Sequence, residues 1–489
     1  MPLAEDVFFL DRTFQGSLQS QIRQIVASAI LSGRFAPGEK LPSSRRLAAH
    51  LGVSRITVTL AYNELVGDDY VQSAARSGYF VSRTAPAPLL SASQKGNEGD
   101  NVDWIRAIKR RFSGDRLVEK TSSWRQYPYP FVYGQPDPAL FNQANWRLCA
   151  HQALGKREFD SLTSDHAERD DPELVKFIAR HTLPRRGILA RPEQILVTVG
   201  AQNALWMVAQ ILLKTGSVAA YENPGYPGLR SVLEHCGCER FPIDIDEDGL
   251  VPGAIPDGCE VVFVTPSHQC PTAITMPMAR RFELLELSAR NDFLIVEDDY
   301  EFEMSFLKAP SPALKSLDEH GRVVYVGSFS KSLFPGLRLG YLVGSEAFIR
   351  EARALRSMVL RHPPGHMQRT TANFLGLGHY DAMMKSMRSA LHERRRVMDR
   401  ALRKAGLKIA GSAGFGGSSF WIEGPGGLDG DVLAAQLAAR GVLIEPGGVF
   451  FEGGNAPKHF FRLAYSSISK EQIPQGIALI ARAMHELTV

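Results

Sequence analysis

The apolar positions change their period along the chain, and each change marks a different kind of element. Between Leu18 and Leu31 they fall at 18, 22, 25, 26, 29 and 30, one face of an α-helix, which Gly33 and Pro37-Gly38 end. In the following LPSSRRLAAHLGVSRITVTLAYNEL, Ser43 or Ser44 can N-cap a short helix through Leu51, and Gly52 stops it. Ser54 can cap a third helix, with Ile56, Val58, Leu60, Ala61 and Leu65 available to bury. Two short helices across a glycine-containing turn are a helix-turn-helix pattern. Tyr70 and Val71 with Gly78–Val81 then read as a two-strand hairpin, or wing, with Arg76 at its tip.

From about Tyr127 the pattern is different. Short β-branched runs at 195–199, 261–265, 293–296 and 323–326 lack polar alternation and are bounded by turn residues. Strands buried on both faces of a largely parallel sheet read this way. Stretches such as 202–213 and 279–290 are long enough for crossover helices. Between the two patterns, residues 84–102 (TAPAPLLSASQKGNEGDNV) have no period and read as linker, and 104–112 (WIRAIKRRF) as a short basic helix. The expected organisation is a winged helix-turn-helix over 18–83, a linker with a short basic segment over 84–126, and an α/β module over 127–489.

Composition narrows the class. The 489 residues, at roughly 100–200 per domain, suggest two to four domains. With 44% hydrophobic and 22% charged residues, a collagen, a mostly disordered chain and a small disulfide scaffold are excluded. No uncharged apolar run reaches the ~18–20 residues that span a bilayer; the longest candidate, Ala204 to Leu213, contains Gln210 and reads as a buried helix. The first ten residues carry Glu5 and Asp6 and no basic region, so no signal peptide is expected. Five cysteines without a Cys-x-x-Cys pair, and without partners at metal-ligand spacing, imply a reducing, cytoplasmic compartment and no metal site. The net charge of +4 divides unevenly: residues 1–83 hold nine basic and seven acidic residues (+2), 84–126 eight and five (+3), and the remainder −1. The positive excess sits in the first quarter, an asymmetry that points towards nucleic acid.

In a helix-turn-helix the second helix presents its N-terminal residues to the groove, here Arg55, Thr57 and Thr59. Arginine pairs well with guanine. The run PGEKLPSSRRLAAHLGVSRITVTLAYNEL followed by RSGYFV closely resembles the winged helix-turn-helix of GntR-type bacterial regulators, over nearly all of 18–83. The resemblance implies double-stranded promoter DNA as partner, contacted by Ser43, Ser44, Arg45, Arg55, Thr57, Arg76 and Gly78. Two positions depart from that pattern. Asp68-Asp69-Tyr70 stands where acidic-Gly-aromatic is usual, and Arg76 replaces the first glycine of a Gly-Ser-Gly wing tip.

In the large module the sharpest chemical signal is VGSFSKSLFPGLRLGY at 326–341, a lysine in a Ser/Gly-rich turn after a buried strand, with Arg338 seven positions on. Such a lysine can form a Schiff base with an aldehyde, and serines with an arginine can hold a phosphate. The strand FLIVEDDY places Asp298 and Tyr300 on one face. An acid there can keep a pyridine nitrogen protonated. In VTVGAQNAL, Gly200 permits close backbone approach and the helix start offers N–H groups to a phosphate. Tyr226 in PGY follows a turn and can stack on a ring. Taken singly, each has an ordinary reading: a surface lysine, a solvated or metal-binding acidic turn, a plain strand-to-helix turn. Their ordered combination supplies the needs of pyridoxal 5′-phosphate at the carboxyl edge of an open α/β sheet.

This module resembles the fold-type-I aminotransferases, and specifically the aminotransferase-like half of MocR/GabR regulators. The matching pieces are YGQPDPALF (133–141), WR (146–147), VTVGAQNAL (197–205), ENPGYP (222–227), VTPSHQCPTAITM (264–276), VEDDYEFE (296–303), GSFSKSLFPGLRLGYLVG (327–344) and FRLAY (461–465). The resemblance implies a mainly parallel large lobe and a smaller C-terminal α+β lobe. It makes Lys331 the internal-aldimine lysine and Asp298 the partner of the pyridine nitrogen. Tyr300 faces the phenolate oxygen, Tyr226 stacks on the ring, and Ala201, Gln202, Ser328, Ser330 and Arg338 hold the phosphate. Arg462 grips the carboxylate of an amino-acid-like ligand. Where aminotransferases carry Asn-Pro-x-Gly, this chain has Cys270-Pro271-Thr272-Ala273, so the donor that normally reaches the phenolate oxygen is missing, and if any residue substitutes it is His268 or Gln269. Cys270 reads as a small buried filler. The resemblance therefore implies a regulator that senses an amino compound (an amino acid, γ-aminobutyrate, taurine or an ectoine derivative) through an external aldimine. It also implies a homodimer in which each head lies over the partner's large module. A working aminotransferase, and a regulator that responds to pyridoxal phosphate itself, remain as alternatives.

Overall fold

The computed structural model describes residues 8–11, 14, 16–74, 77–85, 103–113, 121–135, 137–156, 159, 162–411, 414–454 and 456–488. The chain divides into two compact units, Met1–Phe112 and Ser113–Val489. Arg76 and most of the expected linker, 86–102 and 114–120, lie outside the described residues.

In the first unit, α1 (Leu18–Leu31), α2 (Ser44–Leu51) and α3 (Arg55–Gly67) precede the antiparallel strands β1 (Val71–Ala74) and β2 (Gly78–Val81). Local chemistry sets the boundaries. Ser43 Oγ accepts the Arg46 N–H at 3.3 Å, Ser54 Oγ accepts the Thr57 N–H at 3.2 Å, and Gly52 ends α2 in the left-handed region at φ +66°. Ile22, Val26, Leu47, Val58, Ala61, Tyr62, Leu65, Val71 and Val81 close the core. Two expectations fail here. Ile56 and Leu60 do not bury: they are 71% and 45% exposed. The stripe that packs is Val58, Ala61, Tyr62 and Leu65, at i, i+3, i+4 and i+7, which turns Ile56 and Leu60 outward. Tyr62 takes the interior place, its hydroxyl donating to the Pro42 carbonyl at 3.0 Å. The expected basic helix over 104–112 is one turn, Trp104–Ala107, capped by Asp103. It buries no residue, and a helix with no face to pack does not propagate.

The second unit is built on an eight-stranded sheet. Its strands are β3 (Ile195–Thr198), β4 (Val218–Asn223), β5 (Glu239–Asp246), β6 (Gly249–Leu250), β7 (Val261–Val264), β8 (Leu294–Asp299), β9 (Val323–Ser328) and β10 (Gly340–Val343). The spatial order is β3-β10-β9-β8-β7-β4-β5-β6. The run β9-β8-β7-β4-β5 is parallel, and β10 and β6 are antiparallel to their neighbours. Alternate residues enter opposite layers. Leu196, Val296 and Val324 pack with the helix Ala201–Leu212, whereas Ile295 and Val323 pack with Leu284 of the helix Met278–Asn291. A smaller antiparallel sheet follows, β11 (Lys408–Ile409), β12 (Ser419–Glu423), β13 (Glu445–Pro446) and β14 (Phe460–Ala464), in the order β11-β12-β14-β13. With the helices His379–Lys404, Gly430–Ala439 and Ile473–Thr488 it forms the C-terminal α+β lobe. The expected class, a winged helix-turn-helix joined to a mainly parallel α/β module with a smaller C-terminal lobe, is the one found. The expected strand over FLIVEDDY is found from Leu294 to Asp299, carrying three carboxylates into the buried sheet, but it stops before Tyr300, which falls in the turn that follows.

Between β9 and β10, Gly327 stands opposite Tyr341, and a Cβ there would fall 2.1 Å from the Tyr341 ring. Gly327→Ala is expected to lower the stability of this unit by about 1–3 kcal/mol or more, read as a lower urea midpoint with an unchanged slope.

Candidate functional site

The three acids on β8 have three different fates. Glu297 accepts the backbone N–H groups of Leu314 and Lys315, each at 2.9 Å. Asp299 accepts Arg186 Nε at 2.6 Å and the Tyr325 hydroxyl at 2.9 Å, and the buried arginine holds its carboxyl below the usual range. Asp298 points to the other face, and its buried Oδ1 has no hydrogen-bond partner among the described residues. Burial, then the charges of Asp299 and Glu222, push its pKa up to about 8. It lines a cavity of about 380 Å³ together with Tyr133, Ala201, Gln202, Tyr226, Cys270, Tyr300, Ser328, Ser330, Lys331, Arg338, Phe450 and Arg462.

One end of this cavity suits an anion. Gly200, at φ +92°, N-caps the helix Ala201–Leu212, and no side chain caps its first turn. Asn203 Oδ1 pins the turn by accepting the Val199 N–H at 3.2 Å. A Cβ on Gly200 would lie 3.3 Å from Arg338 Nη2, so the guanidinium rests against this glycine. The Ser330 N–H donates to Ser328 Oγ at 3.2 Å. Helix start, hydroxyls and arginine thus converge as an anion cradle. Beside it, Gln202 Nε2 donates to the Gly228 carbonyl at 3.1 Å, and Gln202 Oε1 is buried without a partner among the described residues. A Cβ on Gly228 would come within 2.5 Å of that oxygen and 2.7 Å of Tyr226 Cζ, so glycine lets the Tyr226 ring lie flush at the cavity wall.

At the other end are two cations and one ring. Lys331, half-buried just beyond β9, has its Nζ 4.0 Å from the Tyr133 ring centroid, and Arg462 Cζ on β14 lies 3.8 Å from the same centroid. Arg462 is 4% exposed, and its Nε donates to Glu445 Oε2 at 2.8 Å. The Tyr133 hydroxyl donates to Glu301 at 2.9 Å, and the Ser418 hydroxyl donates to that same carboxylate.

The Cys270 turn changes the donor inventory. Gln269 Nε2 donates to the carbonyls of Pro224 at 2.7 Å and Cys270 at 2.8 Å, while its Oε1 accepts the Thr272 N–H at 3.2 Å and hydroxyl at 2.6 Å. That amide is spent on holding the turn. The His268 ring is buried and does not line the cavity, and burial lowers its pKa, keeping it neutral. The expectation that His268 or Gln269 replaces the missing asparagine is therefore corrected: neither reaches the cavity with a donor. Tyr300 lines the cavity, but its hydroxyl donates to the His268 carbonyl at 2.9 Å. Cys270 stays a thiol, its pKa pushed up to about 11 by burial.

In the first unit, Arg45 and Arg55 are exposed at the starts of α2 and α3. Ser43 is the cap of α2, whereas Ser44 is buried and accepts Arg55 Nε at 3.4 Å, so it faces α3 and not the surface. Thr57 is partly buried, its hydroxyl bonded to Ser54 at 2.9 Å, and Thr59 donates to the Arg55 carbonyl at 2.9 Å. Gly78 opens β2 at φ +105°.

Sequence reasoning passed over Tyr133, Glu222, Glu301 and Glu445. Tyr133 stood in a quoted motif without a role. Glu445 becomes visible only through the β13–β14 register that sets it opposite Arg462. Among the described residues no group of three or more His, Cys, Asp or Glu could hold a metal, and no helix is long and apolar enough to cross a membrane.

The family model "Aminotransferase class I and II" matches residues 161–480, and "Bacterial regulatory proteins, gntR family" matches 18–81. The chain is 55% identical to the HTH-type transcriptional regulator TauR of Rhodobacter capsulatus over 99% of this chain and 100% of that one. It is 31% identical to the probable rhizopine catabolism regulatory protein MocR of Rhizobium meliloti, covering 79% and 78%. Among solved structures, LysN, the α-aminoadipate aminotransferase of Thermus thermophilus complexed with N-(5′-phosphopyridoxyl)-L-leucine, superposes with a TM-score of 0.69 at 26% identity, over 79% of this chain and 99% of that one. With a GntR-family head and a fold-type-I aminotransferase domain in one polypeptide, the chain belongs to the MocR-type DNA-binding transcriptional regulators.

Proposed function

We propose that this regulator holds pyridoxal 5′-phosphate on Lys331 and uses it to sense a small amino compound that carries an acid group. The observation that carries the reading is the orphaned Asp298 oxygen, a buried carboxyl with a raised pKa facing a cavity with an anion cradle at one end and a lysine at the other. An unpaired buried carboxyl is costly unless a partner arrives, and a protonated ring nitrogen is such a partner. Bound there, pyridoxal phosphate supplies an aldehyde that amines take up reversibly and a ring that withdraws electrons while its nitrogen is protonated. The residues present fit it. The N–H groups of Ala201 and Gln202 with Ser328, Ser330 and Arg338 would take the phosphate, Tyr226 would cover the ring, and Lys331 would offer its amine to the aldehyde. Arg462, with Nε on Glu445, would present its outer nitrogens to the carboxylate or sulfonate of the effector.

Sensing is favoured over turnover by the Cys270 turn, where Gln269 is saturated and His268 lies elsewhere. Steady conversion of an amino donor and a keto acid by the purified protein would overturn that preference. On this reading the regulator works in the cytoplasm as a homodimer, each head over its partner's large module, and effector binding changes its grip on promoter DNA. Arg45 and Arg55 are the proposed contacts best exposed for it.

Three outcomes are expected. The purified protein shows the visible absorption band of lysine-bound cofactor, and Lys331→Ala loses it; an unchanged band would remove the cofactor assignment. Arg462→Ala keeps the band, while the change in DNA affinity produced by γ-aminobutyrate, taurine or another effective amino acid in gel-shift titrations weakens at least tenfold. The third concerns pH. In cofactor-free protein the Asp298 carboxyl rises from 3.8 to about 8, so its contribution to stability is present below about pH 4 and is lost as pH climbs to about 8. Asp298→Asn should abolish this loss, giving cofactor-free protein a higher melting temperature than wild type at pH 8 but not at pH 4, together with weakened cofactor binding.

A further inference from the structure

The start of α3 is poor in side chains able to read a base by hydrogen bonding. Thr57 is bonded to Ser54, Thr59 to the Arg55 carbonyl, and Ser44 accepts from Arg55. What the helix leaves outward is the far end of Arg55 and, beside it, an isoleucine that is 71% exposed, with Leu60 one turn further on the same side. A lone exposed apolar side chain is ordinary; the surroundings single this one out. Residues 40–63 contain Lys40, Arg45, Arg46 and Arg55 and no Asp or Glu. The acids of this helix lie at its far end, where Arg23 reaches Glu64 at 3.9 Å and Asp68 at 3.1 Å. An exposed apolar side chain beside Arg55, in a stretch whose only charged residues, His aside, are basic, fits a polyanion that itself carries an apolar group. In the major groove of double-stranded DNA that group is the 5-methyl of thymine.

We propose that Ile56 is a specificity-determining residue that recognises a thymine 5-methyl group in the major groove, next to the base pair read by Arg55. The inference rests on α3 being the helix that enters the groove. It predicts a half-site in which a thymine adjoins a guanine, with the methyl group, and not a hydrogen bond, setting the preference.

The test uses the full-length protein. Random double-stranded DNA is selected by repeated binding, the enriched sequence is synthesised, and each thymine is replaced in turn by uracil, which removes only the methyl. One thymine per half-site is expected to matter, its replacement weakening wild-type binding by about fourfold, the worth of one buried methyl. Ile56→Ala is expected to bind the thymine and uracil duplexes equally. Ile56→Val, which keeps a branched apolar tip, should retain most of the discrimination. If no uracil substitution weakens the wild type, or if Ile56→Ala keeps the same sensitivity, the proposal is overturned. It also falls if Ile56→Ala alters the sedimentation of DNA-free protein, since the side chain would then belong to a protein interface. Arg55→Ala separates the two levels. Selection of the same sequence by that variant would remove α3 as the reading helix, whereas lost selectivity in Arg55→Ala with unchanged uracil sensitivity in Ile56→Ala would remove the present inference alone.

Discussion

A buried strand that ends in three consecutive carboxylates is a severe electrostatic demand, and much of the large unit is arranged to meet it. Each acid removed from water costs several kcal/mol unless paired or hydrogen-bonded. Glu297 is met by two backbone N–H groups at the start of the helix Leu314–Leu317. Asp299 is met by Arg186, which is 1% exposed and also donates to Ser267 Oγ at 2.8 Å and to the Ser311 carbonyl. That single guanidinium therefore ties three separate segments to the end of β8. The protein answers two of the three carboxyls from its own residues and leaves the third, Asp298, facing the cavity with its pKa raised to about 8, so that it is largely protonated at neutral pH. The carboxyl left without a partner among the described residues lines the cavity, where the proposed cofactor would supply one.

The other end of the cavity follows a different rule. Arg462 and Glu445 form a buried pair on neighbouring strands, both 4% exposed, so the arginine's charge is balanced before any ligand arrives. Such a pair adds little net stability compared with apolar packing, but loss of either member strands the other. An acid group at the outer nitrogens meets a guanidinium already fixed by Glu445 and by the faces of Tyr133 and Phe450. Little side-chain order remains to be lost on binding, and preorganisation of this kind raises affinity for a small ligand.

The sequence made local things legible and left long-range ones hidden. Caps at Ser43 and Ser54, the stop at Gly52 and the bilaterally buried strands were readable because each is decided within a few residues. The carboxylates at the end of β8 were readable for the same reason, although the strand stops one residue short of Tyr300. Burial of Ile56 was misjudged because several apolar residues on α3 competed for one stripe, and tertiary packing chose Tyr62. The basic stretch at 104–112 carried helical composition, but its apolar residues Trp104, Ile105, Ile108 and Phe112 stay exposed, so packing does not extend the helix beyond one turn. Gln269 looked available because one partner, the Pro224 carbonyl, comes from a segment 45 residues away, and the other, Thr272, bonds to it only in the conformation of the turn. Glu445 had no local signature, being defined by strand register, and Tyr133, although it opens the YGQPDPALF motif, takes its role only from contacts with Lys331 and Arg462, which lie far along the chain.

That last contact bears on how a sensor could work. Lys331 follows β9 of the large sheet, whereas Arg462 lies on β14 of the C-terminal sheet. Tyr133 comes from a third stretch of chain, yet both cations lie within about 4 Å of its ring. A ligand shifts a conformational equilibrium only through contacts that differ between states. On the proposed reading, a cofactor held at Asp298 and the anion cradle would be gripped chiefly by residues of the large lobe. On the same reading, a compound with an amine for the Lys331 site and an acid for Arg462 would touch both lobes and so would respond to how they are arranged. The spacing between these two groups, with the Tyr133 ring against both, would then select the length of the proposed effector as well as its charge.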